Sequence, residues 1–187
     1  MGDVKSQAVG NYFLNKAKQD NTSLTNLKLQ KLVYIAYGFY AHFEKEKLFV
    51  DRIEAWQHGS IIPALYHEAK HFGSQPIPKD FKFTFIEEVK NQQTEMGDSI
   101  VKVYTPKIPK TCDVNQILDL IWDKYNIYTG WSLRNLTHLK GTPWDKVYND
   151  GNGVFKEIPF DEIKEYYDEF IKKLIKDIDD KNQLTKG

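Results

Sequence analysis

The chain has 187 residues, of which 41% are hydrophobic, and its 26 lysines and arginines balance its 26 aspartates and glutamates. This length supports one core and predicts a single domain over residues 1–180 with a frayed tail at 181–187, while the neutral charge disfavours nucleic acid and acidic membranes as partners. One cysteine precludes an intrachain disulfide, and the chain shows neither a signal peptide nor an apolar run of membrane-spanning length, so we expect a soluble cytoplasmic protein.

The first two predicted elements are helices. Apolar residues recur at helical spacing over residues 3–19, and the polar stretch 19–23 ends that helix. The second helix begins after Thr25, a predicted N-cap, and its apolar residues cover nearly every side. Such a helix is normally central, and Gly38 within it indicates that another backbone crosses close to that point.

The middle of the chain predicts a third helix and then a β-hairpin. Ser60 is the candidate N-cap, Pro63 suits the first turn, and the helix should end near Gly73. An extended connector follows over residues 75–78. Apolar residues then alternate from 81 to 85, and a β-prone run covers 100–104, so we expect an antiparallel hairpin at about 80–105 with a polar tip over 91–98.

Four helices are predicted in the C-terminal part. They cover residues 113–125, a short segment from Thr129 closed by Gly141, a segment started by Thr142 and Pro143, and a long amphipathic stretch after Pro159. The predicted fold class is therefore mainly α with a small antiparallel β-hairpin, in a single compact multi-helix domain.

A possible metal site lies at residues 67–71. Their sequence, His67-Glu68-Ala69-Lys70-His71, matches the motif H-E-x-x-H on a predicted helix. This spacing places two imidazoles on one face for zinc, with a glutamate beside them as general base. The extended zinc-protease motif needs a downstream glycine and histidine, where this chain has Ser74 and Ile77. We keep a metal-dependent hydrolase as an alternative and favour a solvent-facing helix, with no metal and no cofactor.

Two blocks of the sequence couple a tryptophan, a histidine and a backbone-fixing Gly or Pro. The first block contains Trp56, His58, Gly59, Pro63 and Tyr66, and the second contains Thr137, His138, Pro143 and Trp144. Such combinations lock a turn into a core or present a rigid anchor to a partner. Neither block places a serine or cysteine beside its histidine as a nucleophile, so we expect a binding protein and not an enzyme.

A third motif, LKLQKLVYIAYG over residues 27–38, precedes these blocks. Together, the three motifs over residues ~5 to ~150 resemble the Panacea domain family, the SocA-like antitoxins. The resemblance implies a mainly helical antitoxin of a bacterial or phage toxin–antitoxin pair that binds its cognate protein toxin. Covering the toxin's active surface and delivering the toxin to proteolysis both stay open, so a protease or a chaperone is a further candidate partner.

The resemblance does not separate core residues from contact residues. We expect Trp56 and Trp144 in the core, because tryptophan is usually largely buried, and His58, Tyr66 and His138 on a functional surface. A DNA-binding autoregulator is a further alternative, which the neutral charge disfavours. The candidate motif or partner-binding residues are Lys28, Gln30, Lys31, Tyr34, Trp56, His58, Gly59, Pro63, Tyr66, Thr137, His138, Pro143 and Trp144.

Overall fold

The structure is a computed structural model that describes residues 4–90, 99–106, 108 and 112–184. The described residues form two antiparallel hairpins of two strands each. The mainly α fold class with a small hairpin is confirmed, and the predicted hairpin tip at 91–98 lies outside the described residues. In chain order the elements are α1 (Ser6–Gln19), α2 (Asn26–Glu44), β1 (Glu54–Trp56), β2 (Gly59–Ile61), α3 (Pro63–Ala69), β3 (Phe85–Lys90), β4 (Ser99–Tyr104), α4 (Cys112–Tyr125), α5 (Gly130–Thr137), α6 (Pro143–Tyr148) and α7 (Phe160–Leu184).

Helix α2 is the centre of the fold, as its apolar sequence predicts. It is buried from Leu29 to Ala41 and packs against α1, α4, α5 and α7. Thr25 is its N-cap, and the Thr25 hydroxyl accepts a hydrogen bond from the Lys28 main-chain N–H at 3.2 Å. A Cβ atom at Gly38 would collide with the ring of Tyr167 from α7, so a side chain, and not another backbone, crosses there.

The β1–β2 hairpin replaces the helix start that we expected at Ser60. Ser60 lies in β2, and Ile62 takes the N-cap position of α3 with Pro63 at N1, as predicted for the proline. Helix α3 has no side-chain cap, but the main-chain N–H of Ile62 donates to Gln30 Oε1 at 2.8 Å, so a side chain of α2 holds the residue before α3. The chain after α6 returns to β1, where Phe155 N donates to Ala55 O and Ala55 N donates to Lys156 O, both at 2.9 Å.

The β3–β4 hairpin is confirmed, but β3 begins later than its sequence pattern predicts. Phe81 and Phe83 precede the strand. Phe83 is fully buried, and its main chain exchanges two hydrogen bonds with the side-chain amide of Asn11 on α1, at 2.9 and 3.0 Å. A side chain therefore takes the place of a partner strand at that point.

Helices α5 and α6 begin where the sequence predicts, directly after Thr129 and Thr142. The hydroxyls of Thr129 and Thr142 accept main-chain hydrogen bonds from the third residue beyond each of them. Helix α5 ends at Thr137, earlier than the predicted stop at Gly141, because His138 already takes the C-cap position. Helix α7 extends to Leu184, and fraying at 181–187 stays a prediction. Among the described residues, no helix has the length and apolar character needed to cross a membrane.

Candidate functional site

The two motif blocks meet at the turn between β1 and β2. The Trp144 indole Nε1 donates to the Trp56 carbonyl oxygen at 2.8 Å, and the His138 ring packs on the Trp144 ring with centroids 3.8 Å apart. Gly59 closes the turn at a φ of +106°, where a side chain is strained. A Cβ atom at Gly59 would also collide with Lys31 Nζ and with the His138 ring. Glycine is therefore required here both for its backbone conformation and for its lack of a side chain.

Lys31 fills the space beneath Gly59. Its side chain is fully buried, and Nζ donates to the Ser60 carbonyl oxygen at 2.8 Å. Burial, with the nearby Arg134 charge as a second cause, lowers the pKa of Lys31 to about 7. We call Lys31, Gly59, His138 and Trp144 the buried layer, because Lys31, Gly59 and Trp144 are buried and the half-buried His138 ring lies between Gly59 and Trp144.

His138 is a neutral hydrogen-bond donor in this layer. Its Nδ1 lies 2.8 Å from the Arg134 carbonyl oxygen, and since a carbonyl only accepts, Nδ1 carries the proton. Burial is the main cause that lowers the pKa of His138 to about 4, and the Arg134 and Lys31 charges act in the same direction. We expected His138 on a functional surface, but the structure places its half-buried ring against Trp144.

A pocket of about 780 Å³ opens beside the same turn. Its apolar wall consists of Leu27, Ile61, Val154 and the rings of Trp56, Tyr66, Trp131, Tyr148 and Phe155. Two buried polar side chains of α2, Asn26 and Gln30, also line it. None of the described lining residues is an aspartate, glutamate, lysine or arginine. We call this cavity the aromatic pocket.

The first motif block contributes to the pocket more than we expected. Trp56 is half-buried and not a core residue, because its ring lines the pocket and contacts Tyr66 at 4.9 Å and Phe155 at 5.2 Å between centroids. His58 is exposed and contacts the Trp131 ring at 6.0 Å. Trp144, by contrast, is buried as expected.

The remaining candidate residues hold the scaffold together. Lys28 Nζ donates to the Asn126 carbonyl oxygen at 2.5 Å, just beyond the end of α4. Tyr34 is buried against Tyr167, and the Thr137 hydroxyl donates back to the Arg134 carbonyl oxygen at 2.9 Å. Pro63 and Pro143 start α3 and α6. These residues position the site without lining the pocket.

Three rings of the pocket, Trp131, Tyr148 and Phe155, were not among the candidates from the sequence, and two of them are exposed. Trp131 is 59% exposed and Phe155 is 63% exposed. Trp131 lies off the apolar face that Leu133 defines on α5, which is a weak signal for a surface ring. Phe155 follows a glycine-rich turn and carries no helical or strand pattern, so only the folded chain shows its position.

The H-E-x-x-H motif is split between two elements. His67 and Glu68 lie on α3, while His71 lies in the short 3₁₀ turn after it. Glu68 accepts a hydrogen bond from the Gln7 side chain at 2.9 Å, and both histidines are exposed, as predicted for a solvent-facing helix. In the part of the chain that the structure describes, no group of three histidine, cysteine or acidic residues could hold a metal ion. A catalytic zinc uses three protein ligands, so the described residues do not complete such a site.

Comparison with known proteins identifies the family. Residues 29–145 match the family described as Antitoxin SocA-like, Panacea domain. The chain belongs to this family. It is also 24% identical over 151 residues to Antitoxin SocA of Caulobacter vibrioides (strain NA1000 / CB15N), an alignment that covers 78% of this chain and 71% of the relative. No solved structure matches the chain. The buried layer lies wholly within the matched residues, whereas Asn26, Tyr148 and Phe155 of the aromatic pocket lie outside them.

Proposed function

We propose that the chain is an antitoxin that neutralises a cognate protein toxin in the cytoplasm by binding it directly, with no catalytic step of its own. Membership of the SocA-like antitoxin family supports the antitoxin role. The aromatic wall of the pocket, in which Trp131 and Phe155 are exposed, is the observation that supports binding, because exposed rings clustered with apolar side chains are typical of protein interaction sites. Aromatic anchors contribute most of the binding energy in many interfaces.

The perturbed titratable groups of the site support a binding role over catalysis. A general base or nucleophile must reach the atoms that react. The Lys31 amine is fully buried and engaged by the Ser60 carbonyl, and the His138 Nδ1 proton is engaged by the Arg134 carbonyl. Neither residue lines the aromatic pocket. Their altered pKa values follow from their burial in the scaffold.

Co-expression tests the proposal. The product of the adjacent gene is induced alone and together with this chain, growth is followed, and the complex is purified from the doubly induced cells. We expect toxicity alone, rescue by co-expression, and a stable complex. Toxicity that persists in the presence of the folded chain, with no complex recovered, would contradict the proposal.

The mode of neutralisation is separated by measuring the toxin itself. Direct binding predicts that purified toxin loses its activity when the purified chain is added, with no other protein present. It also predicts that the amount of toxin in co-expressing cells, measured by immunoblot, does not fall. A toxin that keeps its activity in the purified mixture and disappears from cells would show delivery to proteolysis, and direct neutralisation would be wrong.

A further inference from the structure

The lining of the aromatic pocket defines the charge of what it can hold. Its described residues offer rings, aliphatic carbons and the polar groups of residues such as Gln57, His58 and Ser74, and no lysine, arginine, aspartate or glutamate. A charged group that enters such a cavity loses its water and finds no opposite charge, which is strongly unfavourable. The volume, about 780 Å³, lies in the range of cavities that enclose drug-sized groups. The bound group is therefore uncharged and largely apolar.

Two buried polar atoms of α2 add a hydrogen-bonding requirement. Asn26 Oδ1 and Gln30 Nε2 are both buried and have no hydrogen-bond partner within the described residues. The Gln30 amide has a fixed orientation, because its Oε1 already accepts from the Ile62 main-chain N–H. Asn26 and Gln30 are four residues apart, so they share one face of the helix. Both residues line the aromatic pocket, and a partner group that reached these two atoms would meet one acceptor and one donor, the complement of a main-chain amide.

The rim of the pocket indicates that the partner is larger than the cavity. Phe155 has a φ of +65°, a left-handed conformation that is rare for a bulky residue. Its strained backbone is held by the hydrogen bond from Phe155 N to Ala55 O, and its ring stays 63% exposed at the pocket edge. Strain of this kind is concentrated at functional sites. A small ligand inside the pocket would leave the outer faces of Phe155 and Trp131 uncovered, whereas a protein surface would cover them.

Building on the proposed function, we propose that the aromatic pocket binds an uncharged apolar side chain of the toxin, aromatic or leucine-like, together with a main-chain amide beside it. Trp56, Tyr66, Trp131 and Phe155 surround the side chain. Asn26 and Gln30 pair with the amide. Toxin recognition then depends on one apolar anchor and its backbone, and not on ion pairs.

Affinity measurements with matched variants test this assignment. The dissociation constant for the purified toxin is measured by calorimetry for the wild type, Trp131→Ser, Phe155→Ser and the control Phe43→Ser. Phe43 is also an exposed phenylalanine, but it lies near the other end of α2 from Asn26 and Gln30. We expect at least tenfold weaker binding for the two pocket variants and less than twofold change for the control. Circular dichroism confirms that each variant is folded.

A second groove provides the competing location. It has a volume of about 230 Å³, lies between α2, α4, α5 and α7, and is lined by Leu136, Leu139 and Phe170 among others. Leu139→Ser changes an exposed residue of that groove. If Leu139→Ser weakens toxin binding while Trp131→Ser and Phe155→Ser do not, the aromatic pocket is not the binding site.

A small probe tests the pocket without the toxin. N-acetyl-phenylalaninamide, an uncharged ring with an amide, is titrated while the indole N–H signals are followed by NMR, and N-acetyl-phenylalanine, which carries a carboxylate, is the control. We expect saturable shifts of the Trp131 and Trp56 signals with the amide, weaker shifts with the acid, and competition with the toxin. Absent or equal shifts overturn the predicted chemistry. Binding of the probe without competition from the toxin would assign the pocket to a free small molecule. If the probe binds but the co-expression experiment finds no toxin, the proposed function is wrong while the predicted chemistry of the pocket stands.

Discussion

The buried layer and the aromatic pocket meet at the turn between β1 and β2, yet the exposure of their aromatic rings differs. In the buried layer, the Trp144 ring is 8% exposed and its N–H is hydrogen-bonded to the Trp56 carbonyl. In the pocket, Trp131 and Phe155 leave more than half of their surfaces exposed. The comparison shows that some motif residues build the turn and the scaffold, while two rings outside the motifs, Trp131 and Phe155, are exposed rings of the pocket. Damage to the layer should therefore affect folding, and damage to the rim should affect binding.

Replacing Trp144 and Trp131 separately by alanine is the strongest test of this division between folding and binding. Trp144→Ala removes a buried ring and a buried hydrogen bond, and we expect it to lower the free energy of unfolding by about 3 to 5 kcal/mol. Trp131→Ala removes an exposed ring and should cost less than about 1 kcal/mol. Urea denaturation of the purified proteins measures both values. Equal losses for the two variants would show that the layer and the rim are not separate.

The pH dependence of stability tests the Lys31 part of the layer. Burial lowers the pKa of Lys31 to about 7 from 10.5, so the unfolded chain holds the extra proton between these values. The free energy of unfolding should rise from pH 7 to 9.5, with a slope of up to about 1.4 kcal/mol per pH unit. Lys31→Met should remove most of that slope. A smaller slope should remain in this variant, because burial also lowers the pKa of Lys28.

A matched control for this measurement is Lys70→Met, at an exposed position. It should keep the full slope. Burial raises the pKa of Tyr34 and Tyr37 above the ordinary value of 10.0. These tyrosines therefore lower the free energy of unfolding as the pH rises above 10, because the unfolded chain loses their protons first. The measurement is limited to pH 9.5 and below for this reason. A Lys31→Met slope identical to that of the wild type would mean that the amine reaches water in the folded protein.

His138 makes a smaller contribution on the acid side. Burial lowers the pKa of His138 to about 4, below the value of 6.5 for a free histidine. The unfolded chain binds the extra proton between these values, so stability should fall as the pH drops from 6.5 to 4 and should not change through this group above 6.5. In His138→Gln, thermal denaturation over this range should show a shallower decline. His58→Gln, at an exposed ring, is the control and should leave the decline unchanged.

Local signals made much of the fold predictable. The caps at Thr25 and Thr142 and the helix start at Thr129 were correct because each depends on a hydroxyl and a main-chain N–H three residues away. The β1–β2 hairpin was missed because its strands have three residues each, and part of its pairing comes from Phe155 and Lys156, far along the chain. The pattern around it contains Pro63, a strong helix signal, which concealed the short strands before it.

The candidate site was predictable only in part, for a related reason. Residue types and spacing singled out Trp56, Gly59, His138 and Trp144, and the folded chain brings them together. The same signals do not reveal which rings stay exposed, because exposure depends on contacts between distant segments. Trp131 becomes a rim residue only when α5 packs against α2.

The smallest expected effect is the most specific to the rim. Phe155 has a positive φ, so Phe155→Gly relieves backbone strain while it removes the ring, and Phe155→Ala removes the ring and keeps the strain. We expect Phe155→Gly to be more stable than Phe155→Ala by about 1 kcal/mol, as measured by urea denaturation. At Val50, which is also exposed but is not among the residues with positive φ, the order of the glycine and alanine variants should reverse. Both Phe155 variants should lose toxin affinity to a similar extent, because binding depends on the ring and stability depends on the backbone. If the glycine variant were less stable than the alanine variant, the strain would be absent in solution, and the rim would owe its geometry to ring packing alone.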